Sequence, residues 1–336
     1  MNGSDRAGLM ALLERISQLR VLVVGDLMLD EYRVGDVARI SPEAPVPIVR
    51  VREERCELGG AGNVARNVVS LGARAELVGT LGLDREGSLL RERALALGLP
   101  AGGLVESPGR PTSHKLRVVA RSQQMLRLDR EDDAPLSTHE RARIERAVLE
   151  RLDGCDAVVL ADYDKGLFAE GLGRLVIAAA QARGIAVAAD PKRELQRFRG
   201  ASLVKPNLAE ACAAVGGRGD DFESRCRLLE KLRHALAGAD VVVTRGGAGV
   251  TALGEDGRVV DVPTRRLAVY DVQGAGDTSM AALVLCRAAG ATLFEACVVA
   301  NAAAAVAVEK VGTAAVTLAE LRARLSDSFA PTPEDS

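Results

Sequence analysis

The sequence carries one segment whose residue types are arranged for chemistry, Asp271-Val-Gln-Gly-Ala-Gly-Asp-Thr-Ser-Met-Ala-Ala282. It reads as a glycine-rich turn running into an apolar helix. Gly274, Ala275 and Gly276 leave backbone N–H groups bare at the helix start, where the macrodipole favours an anion. Asp277 falls in the first helical turn, aimed at the same anion. A carboxylate beside a phosphate is electrostatically unfavourable unless it accepts a proton. General-base catalysis of phosphoryl transfer to a hydroxyl needs that arrangement. The plain alternative is a capped helix after a loop.

Other stretches hold polar groups at the ends of expected strands. Leu58-Gly-Gly-Ala-Gly-Asn-Val-Ala65 satisfies a dinucleotide fingerprint on its face. That fingerprint needs a strand running directly into the turn, and the charged run Arg52–Glu57 precedes it instead. Bare backbone and an amide at a helix start equally suit sugar hydroxyls. Asp26 and Asp30 follow the first expected strand, where acids either bind ligand hydroxyls or cap helices. Lys205-Pro-Asn207-Leu-Ala-Glu210 places an amide and an acid three residues apart. It reads either as a capping box or as a contact to magnesium-bound water and phosphate. Thr244-Arg-Gly-Gly-Ala-Gly249 is a further strand-end glycine loop that would let backbone approach a nucleotide. No Walker A motif is present.

The elements that would position these groups follow from hydrophobic patterning. Short β-branched runs at 21–25, 75–79, 157–161, 185–189, 202–204 and 241–244 are apolar on both faces, as parallel strands covered by helices are. Helical stretches at 61–71, 137–152, 171–183 and 224–237 have the length of crossovers. The pattern predicts a doubly wound α/β fold with a mostly parallel sheet, whose ligands bind beyond the carboxyl ends of the strands. Two segments break the rhythm. Residues 32–57 contain Ser41-Pro-Glu-Ala-Pro-Val-Pro47 and an extended 48–52. Residues 112–130 alternate with period two, Lys115, Arg117, Arg121 and Arg127 on one face and Leu116, Val118, Leu126 and Leu128 on the other. These are expected to form a small β lid over the site, its basic face either solvated or binding a substrate phosphate. The expected organisation is one domain over 1–330 with a flexible tail at 331–336.

Composition narrows the function classes. The 336 residues are 48% hydrophobic, ample for a core, and carry a formal net charge of −2, so no basic field argues for nucleic acid. Six cysteines without Cys-x-x-Cys spacing and three histidines argue against zinc and disulfides, with a reducing cytoplasm as the expected location. The one long apolar run, 296–308, is interrupted by Asn301 and reads as a buried helix rather than a membrane span. No membrane partner is expected.

Taken together these stretches resemble the ribokinase-like (PfkB) carbohydrate kinases over essentially the whole chain. The first family signature is matched by Gly59, Gly60, Asn63, Gly72 and Gly82, the second by Asp271 and Gly274-Ala-Gly-Asp277. The resemblance implies that Asp277 is the catalytic base and that Gly274, Ala275 and Gly276 form an anion hole for the transferring γ-phosphoryl group. It implies sugar contacts at Asp30, Gly59, Gly60 and Asn63. It places the nucleotide against Asn207, Leu208, Ala209, Glu210, Thr244, Gly246, Gly249 and Asn301, with Glu210 serving Mg2+ through water. A substrate phosphate would meet Lys115, Arg117 and Arg121.

Within the family the sequence is most similar to kinases of D-glycero-D-manno-heptose 7-phosphate. That similarity rests on Gly25-Asp-Leu-Met-Leu-Asp-Glu-Tyr32, Arg39-Ile-Ser-Pro-Glu-Ala-Pro-Val-Pro47, the 115–129 run, Asp190-Pro-Lys192, Asn301-Ala-Ala-Ala-Ala305 and Lys310-Val-Gly-Thr313. It implies Mg·ATP-dependent phosphorylation of the C1 hydroxyl to the 1,7-bisphosphate, in ADP-heptose and lipopolysaccharide synthesis, by a homodimer paired through its lids. With no His-x-Gly-His motif, the expected form is the kinase without a fused adenylyltransferase. The alternatives are a ribokinase or 1-phosphofructokinase type of the same fold, or a dinucleotide-dependent oxidoreductase resting on Gly60–Ala65. Two positions depart from the family. Gln273 stands where close relatives carry Thr, which puts a supporting monovalent cation in doubt. Lys205, often Thr in relatives, either adds a cation near the ATP phosphates or faces solvent.

Overall fold

A computed structural model describes residues 3–121, 123–264, 271–310, 312 and 314–328. The tail at 331–336 and Ser122, Val311 and Thr313 lie outside the described residues. The first strand, β1 (Arg20–Gly25), is the hub of a nine-stranded sheet. Its Val and Leu side chains are buried on both faces, so it must be covered by helices on both sides. On one flank lie β4 (Arg74–Gly82) and β5 (Leu104–Ser107). On the other lie β8 (Ala157–Ala161), β9 (Ala186–Asp190), β10 (Leu203–Val204) and β11 (Asp240–Thr244), all parallel. The antiparallel β12 (Val250–Leu253) and β13 (Val259–Val262) close that edge.

Helices α1 (Gly3–Ile16), α2 (Ala61–Ser70), α3 (Arg85–Ala96), α8 (Ala275–Ala288), α9 (Leu293–Val308) and α10 (Leu318–Ser328) cover one face. Helices α4 (Thr138–Leu152), α5 (Leu172–Gln181), α6 (Leu208–Val215) and α7 (Phe222–Ala235) cover the other. The apolar 296–308 run is the body of α9, buried against α8. Among the described residues no helix is long and apolar enough to cross a membrane.

The chain runs from β1 to one side and returns to β8 on the other, so the crevice beyond the carboxyl ends of β1 and β8 is the switch point where such sheets bind ligands. A second sheet, ordered β3-β2-β6-β7, rises from that crevice. It contains β2 (Leu27–Ile40), β3 (Pro47–Gly60), β6 (Ser113–Ala120) and β7 (Gln123–Arg130). The lid therefore starts at Leu27, earlier than the expected residue 32, because the chain needs only Asp26 to turn from β1 into β2. The prolines of 41–47 occupy the hairpin tip, where the lack of an N–H donor costs nothing in the ladder.

The 112–130 segment is a hairpin rather than one alternating run. Lys115 faces Asp129, Arg117 faces Arg127, and Leu116 and Val118 face Leu128 and Leu126. Arg121 sits in the turn with φ 49° and leaves the ladder, which corrects its expected place on the basic face.

Gly25 shows how tightly the switch point is packed. A Cβ there would press on the Ala161 carbonyl at the end of β8 and lie 2.7 Å from the Ala61 Cβ at the start of α2. Gly25→Ala is expected to lower unfolding free energy by about 1–3 kcal/mol, measured by urea denaturation.

Candidate active site

Helix α8 begins at Gly274, whose φ of 75° turns the chain into the helix with no side-chain cap. Six other helices take caps from Asp84, Ser137, Asn207, Asp221, Thr292 and Thr317. The first-turn N–H groups of α8 thus lack the side-chain partner those helices have. Asp277 stands in that turn. Asn63 Nδ2 donates to its Oδ2 at 2.6 Å, and the Tyr163 hydroxyl donates to its Oδ1. Burial pushes the Asp277 carboxyl up to about 6, against the pull of those two donors. Nearby Asp190 adds to the rise and Lys205 opposes it.

The Asn63 amide is oriented by its other partners. Arg66 Nη2 donates to Asn63 Oδ1 at 2.7 Å, which leaves the amide nitrogen for Asp277. Arg66 is itself paired with Glu57 at 2.6 Å, at the root of the lid. Its burial lowers the guanidinium pKa despite Glu57 and Asp277 nearby. Tyr163 is placed by Asp26, which accepts the backbone N–H groups of Tyr163, Lys165 and Leu167 at 2.8, 3.3 and 3.4 Å. Asp26 therefore shapes the loop after β8. Its carboxyl is also pushed up to about 6, by burial first.

On the lid side, Asp30 is buried on β2 and accepts Arg117 Nη1 at 2.5 Å. Gly59 lies beside it, where a Cβ would collide with Asp30 Oδ2. Gly60, at φ 57°, turns β3 into α2 and has its own Cβ position blocked by the Asp26 carbonyl. Asp30, Gly59, Gly60, Asn63 and Asp277 are thus gathered at one end of the lid. The expected basic face is largely neutralised. Lys115 Nζ pairs with Asp129 and Glu131 at 3.1 and 3.0 Å, Arg117 with Asp30, and Arg121 donates to the Val37 carbonyl.

Behind the α8 N-terminus lies a cavity of about 590 Å3, lined by Asn207, Thr244, Gly246, Gly249, Gly276 and Asn301 among others. Five of the expected nucleotide positions thus share one cavity. Asn301 holds the chain opposite it, accepting Thr264 Oγ1 at 2.9 Å and donating to the Pro263 carbonyl at 3.2 Å. Leu208, Ala209 and Glu210 do not line that cavity. Glu210 completes the capping box with Asn207, its carboxylate taking the Asn207 N–H at 2.8 Å and Lys192 Nζ at 2.9 Å. Lys205 is buried rather than solvated, its Nζ 2.8 Å from Asp190 Oδ2. Among the described residues no cluster of three or more His, Cys, Asp or Glu is arranged to hold a metal. Metal binding here would rest on a few oxygen donors, Asn207 and Glu210 with Asp190 nearby, whose carboxyl is raised by burial first and further by Glu210, against the pull of Lys205, a donor set that suits a hydrated Mg2+ arriving on a nucleotide.

Three contributors escape sequence reasoning: Tyr163, Arg66 and the Tyr32–Gln273 contact, in which the Tyr32 hydroxyl donates to Gln273 Oε1 at 2.9 Å. Tyr163 had a usable signal, standing two residues past the carboxyl end of β8. Arg66 had none beyond its helical spacing from Asn63. The Gln273 amide oxygen accepts the lid tyrosine's hydroxyl.

Comparison with known proteins agrees with this geometry. The model of the pfkB family carbohydrate kinases matches residues 18–320. The chain is 44% identical over 328 residues to the bifunctional protein HldE of Gluconacetobacter diazotrophicus, covering 94% of this chain and 66% of that protein. It is 43% identical over 324 residues to HldE of Rhodospirillum rubrum, covering 92% and 62%. It therefore spans just under two thirds of the length of these relatives. Among solved structures, phosphofructokinase-2 from Escherichia coli in complex with substrates and products superposes with a TM-score of 0.77 at 24% identity, over 92% of this chain and 99% of that one. Arabidopsis thaliana ribokinase complexed with ribose and ATP gives 0.70 at 20%, over 91% and 98%. The fold is ribokinase-like, and the chain belongs to the pfkB family of carbohydrate kinases.

Proposed function

We propose that this chain transfers the γ-phosphoryl group of Mg·ATP to the C1 hydroxyl of D-glycero-D-manno-heptose 7-phosphate. The observation that carries the phosphotransfer reading is Asp277, a half-buried carboxylate at the uncapped start of α8, between the cavity behind that helix and the lid-covered polar cluster. ATP would lie in the cavity, its γ-phosphate against the backbone N–H groups of residues 274–276. Those fixed dipoles favour the charge that builds on the transferring group. The sugar would lie under the lid against Asp30, Gly59 and Asn63, its reacting hydroxyl at Asp277.

Asp277 takes the hydroxyl proton as the sugar oxygen bonds to phosphorus and the bond to the ADP oxygen breaks. Asn63 and Tyr163 hold the carboxylate in place and keep it ionised. Mg2+, bound with ATP and reached from Asn207 and Glu210 through water, would neutralise phosphate charge. The heptose reading is supported by the Ile40–Pro45 run at the lid tip and by the HldE relatives, and the product would be a substrate for nucleotide activation of the sugar. A kinase of the same fold for another sugar phosphate is the second reading.

The lids are expected to pair two copies. Leu126 and Leu128 stand 51% and 52% exposed on the outer lid face, beside Leu116 and Val118. Leu126→Asp with Leu128→Asp should convert a dimer to a monomer in analytical ultracentrifugation, and a wild-type monomer would end the idea.

Substrate choice is tested by ADP release with heptose 7-phosphate beside ribose, fructose 6-phosphate and fructose 1-phosphate, where turnover on the heptose phosphate alone is expected. Asp277→Asn should lower kcat by about 10²–10⁴-fold while leaving ATP binding by calorimetry within a few fold. Near-normal turnover would remove Asp277 from the chemistry.

The pH dependence follows from the same group. Asp277 must be ionised to accept a proton, so kcat/KM should fall as pH drops through about 6. Tyr163→Phe removes a donor that stabilises the carboxylate, and the acid limb should move to higher pH. An unmoved limb would mean another group titrates.

A further inference from the structure

The inner face of the lid is laid out in rows across the sheet. Asp30 on β2 stands between Glu57 of β3 and Lys115 of β6. One step further from the root, Tyr32 stands between Arg55 and Arg117. Two residues along a strand advance it by about 7 Å. A row of two acids and a lysine, its Asp30 near Asn63 and Asp277, is thus followed by a row of two guanidiniums around one aromatic ring. The Arg55 guanidinium carbon lies 4.6 Å and that of Arg117 5.3 Å from the Tyr32 ring centroid.

The two arginines differ in what balances their charge. Arg117 is folded back onto Asp30 at 2.5 Å. The other cations near this face are likewise matched to acids, Lys115 to Asp129 and Glu131, Arg66 to Glu57, and Arg127 to Asp129. Among the described residues Arg55 has no carboxylate within ion-pair reach, and its buried Nε has no hydrogen-bond partner. It is half-buried, lying over the Tyr32 ring and facing Gly312, where a Cβ would come 3.2 Å from its Nη2. A guanidinium lying over an aromatic ring, without a carboxylate partner and partly desolvated, has the donors to take a doubly charged oxyanion through two parallel N–H groups.

We propose that Arg55 is the anchor for the substrate's phosphate ester, at the end of the sugar away from the hydroxyl that reacts. The proposal rests on the reading of the substrate as a sugar phosphate. It assigns to Arg55 the task that sequence spacing gave to Lys115, Arg117 and Arg121. A sugar lying across the rows would set its hydroxyls against Asp30 and its phosphate against Arg55. Because Arg55 lies on Tyr32, whose hydroxyl donates to Gln273 beside the anion-hole glycine, an occupied anchor would hold the lid down onto the α8 N-terminus.

The test compares heptose 7-phosphate with unphosphorylated heptose, using the wild type, Arg55→Gln, Arg55→Lys and, as a control on the same strand, the exposed Arg50→Gln. Losing a charge-assisted contact should lower kcat/KM for the phosphorylated sugar about ten- to hundred-fold in Arg55→Gln. That for free heptose should stay within about threefold and the KM for ATP within about twofold of wild type, changes too small to count as a lost contact. Inhibition by inorganic phosphate competing with the sugar should weaken in parallel. Arg55→Lys keeps the charge without the fork and should fall between, while Arg50→Gln should match the wild type.

Equal loss on both sugars in Arg55→Gln and Arg55→Lys, or no loss, overturns the anchor and leaves the kinase reading standing. A wild type that turns over another sugar phosphate with the same Arg55 dependence overturns the heptose assignment and keeps the anchor. A wild type that prefers unphosphorylated sugar overturns both.

Discussion

The site depends on one electrostatic constraint: a carboxylate must sit, ionised and partly desolvated, in the first turn of α8. Burial alone would keep Asp277 protonated, so the fold has to bring donors to it from elsewhere. Asn63 comes from α2, and Tyr163 from the loop after β8. Each is fixed by a further contact, Asn63 by Arg66 and Tyr163 by the Asp26 carboxylate that gathers three N–H groups of its loop. Helices α2 and α8 are joined again by Thr278 Oγ1 on Asn67 Oδ1 at 2.9 Å. The catalytic turn is therefore braced by β1, β8, α2 and the lid root together, elements far apart in sequence that meet at the sheet's switch point.

The lid root shares the main core through Leu27, Leu29 and Leu58, and side chains tie it further to this turn. Arg66 reaches Glu57 at the lid root, and Tyr32 reaches Gln273 beside Gly274. Gln273 is long enough to meet a tyrosine hydroxyl across that gap, whereas the Thr expected at this position would be too short. The departure from the expected residue couples the lid directly to the loop before α8. The same loop is held from below by Asp271, which accepts the N–H groups of Gln273 and Gly312 at 2.9 and 3.1 Å.

Much of the fold was legible because its determinants are local. The doubly apolar runs at 21–25, 157–161 and 241–244 fall within strands, and the run at 137–152 is α4 with Ser137 as its cap. Asp277 and the glycines before it were readable for the same reason, since a helix start and its first acid are a few residues apart. What failed was long-range. The spacing of Lys115, Arg117 and Arg121 says which residues share a strand face, but not that Asp129, Glu131 and Asp30 stand opposite to cancel two of them. Nor does it say that a turn removes the third. Glu210 was legible as a capping-box acid and equally as a magnesium contact, and only the capping geometry is visible in the fold. Tyr163 acts through Asp277, 114 residues away in sequence, while Arg66 and Lys205 act through nearer acids, Glu57 and Asp190, that only the fold of the lid root and of β9 brings alongside.

The two halves of the site solve opposite problems with opposite means. The cavity behind α8, proposed for the nucleotide, is walled largely by backbone, glycine and small apolar side chains, among them Gly246, Gly249, Ala304 and Ala305. Such a surface fits a planar base closely but supplies little charge. On the proposed reading, the helix N-terminus and a metal bound with ATP would have to supply it. Under the lid the charges are protein side chains already paired with one another, Arg117 with Asp30 and Lys115 with Asp129 and Glu131. Pre-paired charges are poor general anion binders, because a ligand must compete with a partner that is already in place. If this side holds the sugar, as proposed, it would select by hydroxyl geometry rather than by bulk attraction, and a single cation left unpaired on it would carry most of the discrimination between a phosphorylated sugar and a free one.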